Sequence, residues 1–405
     1  MKRTARDNRP NVKPIEKIEV SEKHIGLRVA ALIICIVIAV AALSAGITGL
    51  LKKDTGWRTV LPKSVDGEPD CFADFTLQYN FGASGISASS EFKAVEAKYA
   101  EASKKARKLY SSGEIFDGVH NPAYISEHIN EEITVEPELY RAFEIMLSGG
   151  SRYLYAEPVY EYYEVMLAFE NEEDLYDYDA NSNPEKEKLF SEILAFANDS
   201  ESVELKLLGN NKVKLFVSDA YKKFAKENDV YKFIGFVFMK NAFIIDDLAD
   251  ALFLSGHTRG YIASSDGFCR NLDTSGEEYG YEIYDFDGKT VNTAATVYYS
   301  GRKSIVALRS YPLGTSVSDR YFVLKNGEIR NGYFDIHTGK CKTAINDLVS
   351  YSDKKGCAEI LSEMIPVFIA DEFSPEALEK AEQIETVYCL NGEIHASDKD
   401  IKIKK

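Results

Sequence analysis

Apolar and polar residues alternate from Asp74 to Phe81, and a period of two over that length predicts a strand. From Ser90 to Leu109 the period changes. Phe92, Val95, Ala97, Tyr99, Ala102 and Ala106 fall on one side of a helix whose other side is rich in lysine. Two-residue periodicity returns at Val203–Val217, where Gly209-Asn210-Asn211 marks the turn of a hairpin. Phe233–Gly256 reads as strand, turn and helix, with buried positions at 244, 245, 248, 251, 252 and 254 and Gly256 as the C-cap. Tyr281–Tyr299 predicts a second hairpin around Asp287-Gly288, and Ser304–Ser310 and Arg320–Leu324 predict short strands. Glu385–Ser397 closes the series as a hairpin around Asn391-Gly392. Between them, Gly327–Ile369 reads as strand, tight turn, strand and helix. The turn is Asp335-Ile336-His337-Thr338-Gly339, and Ser352 and Asp353 are the candidate N-caps. Strands and helices do not alternate regularly, so the class expected is α+β: one large domain of mixed or antiparallel sheets with flanking helices.

One stretch departs from both periods. Val29–Leu51 is 23 residues without a charge, long enough at 1.5 Å per residue to cross a hydrocarbon core of about 30 Å. Its polar forerunner of 28 residues is longer than the basic leader of a cleaved signal peptide, so a single transmembrane helix is expected. Eight Lys and Arg in residues 1–28 keep the N-terminus cytoplasmic by the positive-inside rule. The main domain is then extracytoplasmic, at the cell membrane. The expected organisation is a basic tail over 1–28, the span over 29–51, a Gly- and Pro-containing linker over 52–73, the domain over 74–397 and a basic tail over 398–405.

Charge sharpens this picture. The 405 residues carry a formal −16; residues 1–53 hold a net of +6, which leaves −22 on the body. An acidic body argues against nucleic acid as a partner, because that binding neutralises phosphates. Glu170–Glu185 is an acidic, Asn-containing stretch that lacks the order and the glycine of a calcium loop, and it is expected to be a solvated insertion. Beyond Cys35 in the span lie Cys71, Cys269, Cys341, Cys357 and Cys389, an odd number without close pairing, expected as buried thiols.

The candidate chemistry sits around the Asp335 turn. Glu359 and Glu363 are i and i+4 on the helix that follows, on one face, where a hard cation such as Mg²⁺ would relieve their repulsion. Here the sequence resembles the ApbE-type FAD:protein FMN transferases. Their signature is a His-x-x-Asp-Pro-x-Thr-Gly turn followed by a helix with an Ala-Asp-x-x-x-Thr metal site. Asp335, Thr338, Gly339 and Ala358 match. Gly332 stands for the histidine, Ile336 for the proline, Glu359 for the metal aspartate and Glu363 for the metal threonine.

The resemblance extends over residues 74–397. Asn130, Val135, Pro137, Glu138 and Leu139 match the segment that leads into a helix, and Tyr153 and Tyr155 stand at a turn that holds the flavin. Counting back from Gly256 places Asp246 on the aspartate of a Gly-Gly-x-x-Lys-Gly-Tyr-x-x-Asp motif and Asn241 on its lysine. Lys240 is one residue away, and Gly235 remains of the glycines. Ser265, Asp266 and Gly267 replace a Gly-Gly-Asp.

What the resemblance implies is Mg-dependent transfer of FMN from FAD to a Thr or Ser of an acceptor flavoprotein. Tyr153, Tyr155, Asn241, Asp246, Asp266, Gly267, Asp335 and Thr338 would hold the cofactor, Glu359 and Glu363 the metal. Lys240 and His337 are the nearest replacements for the missing catalytic groups. Those exchanges imply impaired or altered activity, a possible pseudoenzyme. The alternative is a non-catalytic flavin-binding or partner-binding ectodomain of the same fold.

Overall fold

Strand β1 (Gly56–Val60) lies beside β2 (Phe75–Phe81), whose burial alternates along its length as the sequence pattern requires. A computed structural model describes residues 55–61, 74–83, 85–313 and 320–405. The expected membrane span and the residue Cys71 lie outside them. Among the described residues no helix is long and apolar enough to cross a membrane.

The chain continues through helix α1 (Ala88–Leu109), strand β3 (Ile133–Thr134), helices α2 (Pro137–Leu147), α3 (Glu157–Leu167) and α4 (Pro184–Ala197), and the hairpin β4 (Val203–Gly209) and β5 (Lys212–Val217). Helix α5 (Lys240–Leu254) precedes β6 (Gly260–Ser264), β7 (Phe268–Asn271), β8 (Glu278–Phe286), β9 (Val291–Ser300) and β10 (Lys303–Arg309). Short strands β11 (Tyr321–Val323) and β12 (Ile329–Asn331) then lead to β13 (Asp347–Ser352), helix α6 (Cys357–Phe368), β14 (Glu385–Leu390), β15 (Glu393–Ala396) and β16 (Lys402–Lys404).

Eight strands form the central sheet in the order β1-β2-β6-β7-β10-β13-β14-β15, and every neighbouring pair is antiparallel. Helices α1, α5 and α6 cover one face and enclose the main core. A three-stranded sheet, β16-β9-β8, covers part of the other face over a second core around Ile283, Val297, Ile305 and Val387. The class is α+β with antiparallel sheets, and Thr55–Lys405 forms one unit.

Five local expectations change. Residues 56–60 of the expected linker form β1, which pairs with β2 in the central sheet. Phe233–Met239 is not a strand. It is an irregular buried segment ending in a 3-10 turn, because Gly235 donates to the Leu154 carbonyl and Val237 takes a φ of +43° that breaks extension. Helix α6 starts at Cys357 rather than at Ser352. The Ser352 hydroxyl instead accepts from the amides of Lys354 and Lys355, and closes a turn ahead of the helix. Residues 170–185 are not a plain solvated insertion: Leu175 and Ala180 are buried, and Asp179 forms a buried ion pair with Arg330 at 2.9 Å. The basic tail contributes β16, which pairs with β9.

Candidate functional site

Helix α6 needs acceptors for the N–H groups of its first turn, and a residue from another helix supplies them. Asp246, on α5, accepts from the amides of Cys357 at 2.9 Å and Ala358 at 3.0 Å. Glu359 closes the same turn by accepting from the Gly356 amide at 2.9 Å. Gly356 has no Cβ, and a side chain there would collide with the Asp246 carboxylate. Arg270 on β7 completes the arrangement, bonded to Asp246 and, at 3.1 Å, to Asp250. Burial works against the Arg270 charge, but Asp246 and Asp250 hold its pKa above the ordinary guanidinium value. Asp246 therefore ties α5, β7 and α6 together.

The two carboxylates at the metal positions do not meet around a common point. Glu359 faces Arg141 of α2 at 3.5 Å, and Glu363 is paired with Lys355 at 2.6 Å. Among the described residues, no group of three or more His, Cys, Asp and Glu side chains is disposed to hold a metal ion. A divalent cation would have to displace two protein cations to bind here, so this donor set does not fit Mg²⁺ as it stands.

Asp246 and Glu359 border a cleft of about 670 Å³ between α1, α2, α5, β7 and the loop ahead of α6. Its walls carry both signs of charge, with Lys98, Arg141 and Arg302 against Glu138, Asp247 and Asp250. At its base the Tyr110 hydroxyl donates to Asp247 at 2.8 Å. Burial pushes the Asp247 carboxyl up to about 7, with Glu138 and Asp246 acting in the same direction.

A second group forms at the start of α5. Asn241, in the place of the lysine, is buried and donates to Asp266 at 3.1 Å and to Asp74 at 3.4 Å. Arg320 bridges the same carboxylates at 3.4 and 3.3 Å. One Asp266 oxygen, Oδ1, is buried without a partner. Gly267, at φ +97°, lies against the Ala307 carbonyl, so its missing side chain serves strand packing. Lys240 opens α5 and acts on buried Glu157, which is bonded to Ser112 and accepts from the strained Val237 amide at 3.1 Å. Burial, together with nearby Glu164, raises the Glu157 carboxyl to about 7. Its carboxylate fills the space beside Gly235.

The Asp335 turn is the third group. Asp335 accepts from the amides of His337 at 2.9 Å and Thr338 at 2.8 Å and from the Thr338 hydroxyl at 3.1 Å. Partial burial opposes ionisation, but those donors and Lys342 hold the Asp335 pKa below the usual range. Gly339 takes φ +68° with Phe190 packed against it. Tyr153 donates to the Phe334 carbonyl at 3.0 Å, and Tyr163 to that of Gly339 at 2.8 Å. Tyr155 is fully buried, accepts from the Leu205 amide at 2.8 Å, and has its phenol pushed up to about 12 by burial. His337 and Thr338 are exposed. Gly332, in the place of the histidine, lies against the Tyr160 ring.

The structure thus brings Asp246 to Glu359, Asn241 to Asp266, and Tyr153 to the Asp335 turn. Arg141, Glu157, Arg270 and Arg320 are equally part of these groups and were not foreseen. A Glu-Pro pair at a helix start could have pointed to Glu157; nothing local marks the arginines.

No family model matches the chain, and no curated protein matches it in sequence. Solved structures do. The ApbE protein of Thermotoga maritima superposes with a TM-score of 0.55 at 14% identity, covering 80% of this chain and 94% of its own. The flavin transferase ApbE of Vibrio cholerae gives 0.53 at 12% identity, covering 85% and 98%. The chain has the ApbE fold, in a divergent sequence.

Proposed function

We propose that this chain is a membrane-anchored, extracytoplasmic protein of the FAD:protein FMN transferase type in which FMN transfer is weak or absent while flavin binding is retained. One observation carries the reading. Both carboxylates that the resemblance assigns to the metal are already engaged within the chain, Glu359 with Arg141 and Glu363 with Lys355, and the neutral Asn241, bonded to two carboxylates, stands where a lysine belongs. Phosphoryl transfer depends on free, preorganised charge around the pyrophosphate. Losing one such donor costs roughly 10²–10³ in rate.

The test is direct. The purified protein is incubated with FAD, gel-filtered and scanned for a flavin band, then offered an acceptor flavoprotein peptide with FAD and MgCl₂. A retained flavin band with little FMN on the peptide by mass spectrometry is expected. Rapid stoichiometric FMN addition would overturn the loss of activity and make Lys240 and His337 the first residues to mutate. No flavin band would leave a partner-binding ectodomain of the same fold.

A further inference from the structure

Strand β1 stands at one end of the central sheet, with no strand beyond it among the described residues. Its residues alternate between two sides. Val60 enters the helix-side core, and Arg58 lies over the Phe92 ring of α1 at 4.6 Å. Trp57 points to the other side, beyond the edge of the three-stranded sheet. There it joins a run of rings: Tyr261 and Tyr279 each at 6.1 Å from Trp57, and Tyr279 stacked on Tyr299 at 5.8 Å. Trp57 is nevertheless 41% exposed, and Leu61 at the end of the same strand is 73% exposed. A large aromatic left open on an edge strand is a surface that asks for a partner.

We infer that this aromatic face docks onto the headgroup layer of a lipid bilayer. The inference rests on reading Val29–Leu51 as a membrane span. Trp57 follows Leu51 by six residues, and at full extension such a connection reaches about 21 Å. Tryptophan and tyrosine favour that layer, since one end of each ring system is apolar and the other hydrogen-bonds to water. The charges nearby are mixed rather than a basic patch: Asp273 and Glu277 act on Tyr279, and so does Arg259. Docking is therefore driven by ring burial, and is expected to be independent of anionic lipid and insensitive to salt.

Trp57 is the one tryptophan of the chain, so its fluorescence reports this face alone. The full chain is reconstituted into phosphatidylcholine vesicles with either ordinary or brominated acyl chains, and tryptophan is excited selectively. The expected result is a blue-shifted emission that is lost with brominated lipid, at low and high salt alike. The double variant Trp57→Phe/Tyr231→Trp carries the probe at a residue that is 71% exposed elsewhere, and it should stay unquenched. Protein that sediments with the vesicles but is not quenched at Trp57 overturns the docking and leaves the anchor standing. Failure to sediment overturns both. Equal quenching of the double variant shows unspecific surface collision and overturns the docking. So does a shift that follows protein concentration without lipid, which assigns the face to a second copy.

Discussion

Asp246 and Glu363 are both carboxylates at positions that the ApbE resemblance assigns to the site, and the fold treats them in opposite ways. Asp246 is mostly buried, and two amides and the Arg270 guanidinium bind it. Glu363 has a side chain 38% exposed and one lysine partner across its own helix start. A buried carboxylate must have all its hydrogen bonds made by the protein, because water cannot make them. An exposed one can exchange a lysine for water at little cost. The same positions have become structural on one side of α6 and interchangeable on the other.

The sharpest way to break this contrast is Asp246→Ala. It removes one member of a buried ion pair and leaves two helix amides without their acceptor. The expected destabilisation is about 3–5 kcal/mol, read from urea unfolding. Asp246→Asn, which keeps one acceptor oxygen, should lie well below that. A loss under about 1 kcal/mol for Asp246→Ala, the level of an exposed pair, would show that the two carboxylates are alike after all.

Glu157 extends the contrast to a buried carboxylate without a full cation partner. Its folded pKa is raised from 4.5 to about 7 by burial. The native state therefore holds a proton that the unfolded chain releases earlier. The sign follows: stability is highest below about pH 4.5, falls as pH rises towards 7, and stays lower above it. Glu157→Gln mimics the protonated form. It should flatten that decline and stabilise the protein at pH 8 by up to ~3 kcal/mol, with no gain at pH 4. Parallel thermal-melting profiles for wild type and variant would mean that water reaches the Glu157 carboxylate.

The Asp335 turn lies between the extremes. Three donors converge on one carboxylate oxygen, yet all three belong to the exposed residues His337 and Thr338. Asp335→Ala should cost about 1–2 kcal/mol, less than Asp246→Ala. His337→Ala should change stability by no more than about 0.5 kcal/mol.

This ranking also explains what could be read in the chain. The Asp335 turn was legible because its hydrogen bonds are local: Asp, Thr and Gly within five residues specify it. The hairpins at Gly209-Asn210 and Asn391-Gly392 were legible for the same reason, as positive φ at Asn210 and Asn391 confirms. The start of α6 was misplaced because its cap, Asp246, lies 111 residues away, and local capping signals at Ser352 and Asp353 competed with it. Phe233–Met239 misled through its apolar run. Its shape is set by Glu157 and Leu154, which periodicity cannot register. Asp179 with Arg330, and Asp266 with Arg320, are likewise pairs made by topology. The position of Asp246 was therefore visible, and its role was not.

The smallest effect is expected at Glu363, and it tests the proposed function most closely. Glu363→Gln removes the charge that Lys355 compensates while keeping the size of the side chain. An exposed pair of this kind contributes 0.2–1 kcal/mol, roughly, in water, so the melting temperature should barely move. A ligand that binds only the folded state stabilises by RT ln(1 + [L]/Kd). If Lys355 and Arg141 keep Glu363 and Glu359 occupied, MgCl₂ has no such site here. It should then leave wild type and Glu363→Gln with the same melting temperature. The opposite outcome is a rise with MgCl₂ in wild type that the variant lacks. The two carboxylates would then exchange their protein cations for a metal, and the contrast with Asp246 would become one between a structural carboxylate and a catalytic one. In that case the double variant Arg141→Gln/Lys355→Gln should bind Mg²⁺ more tightly still, since the competing cations are gone.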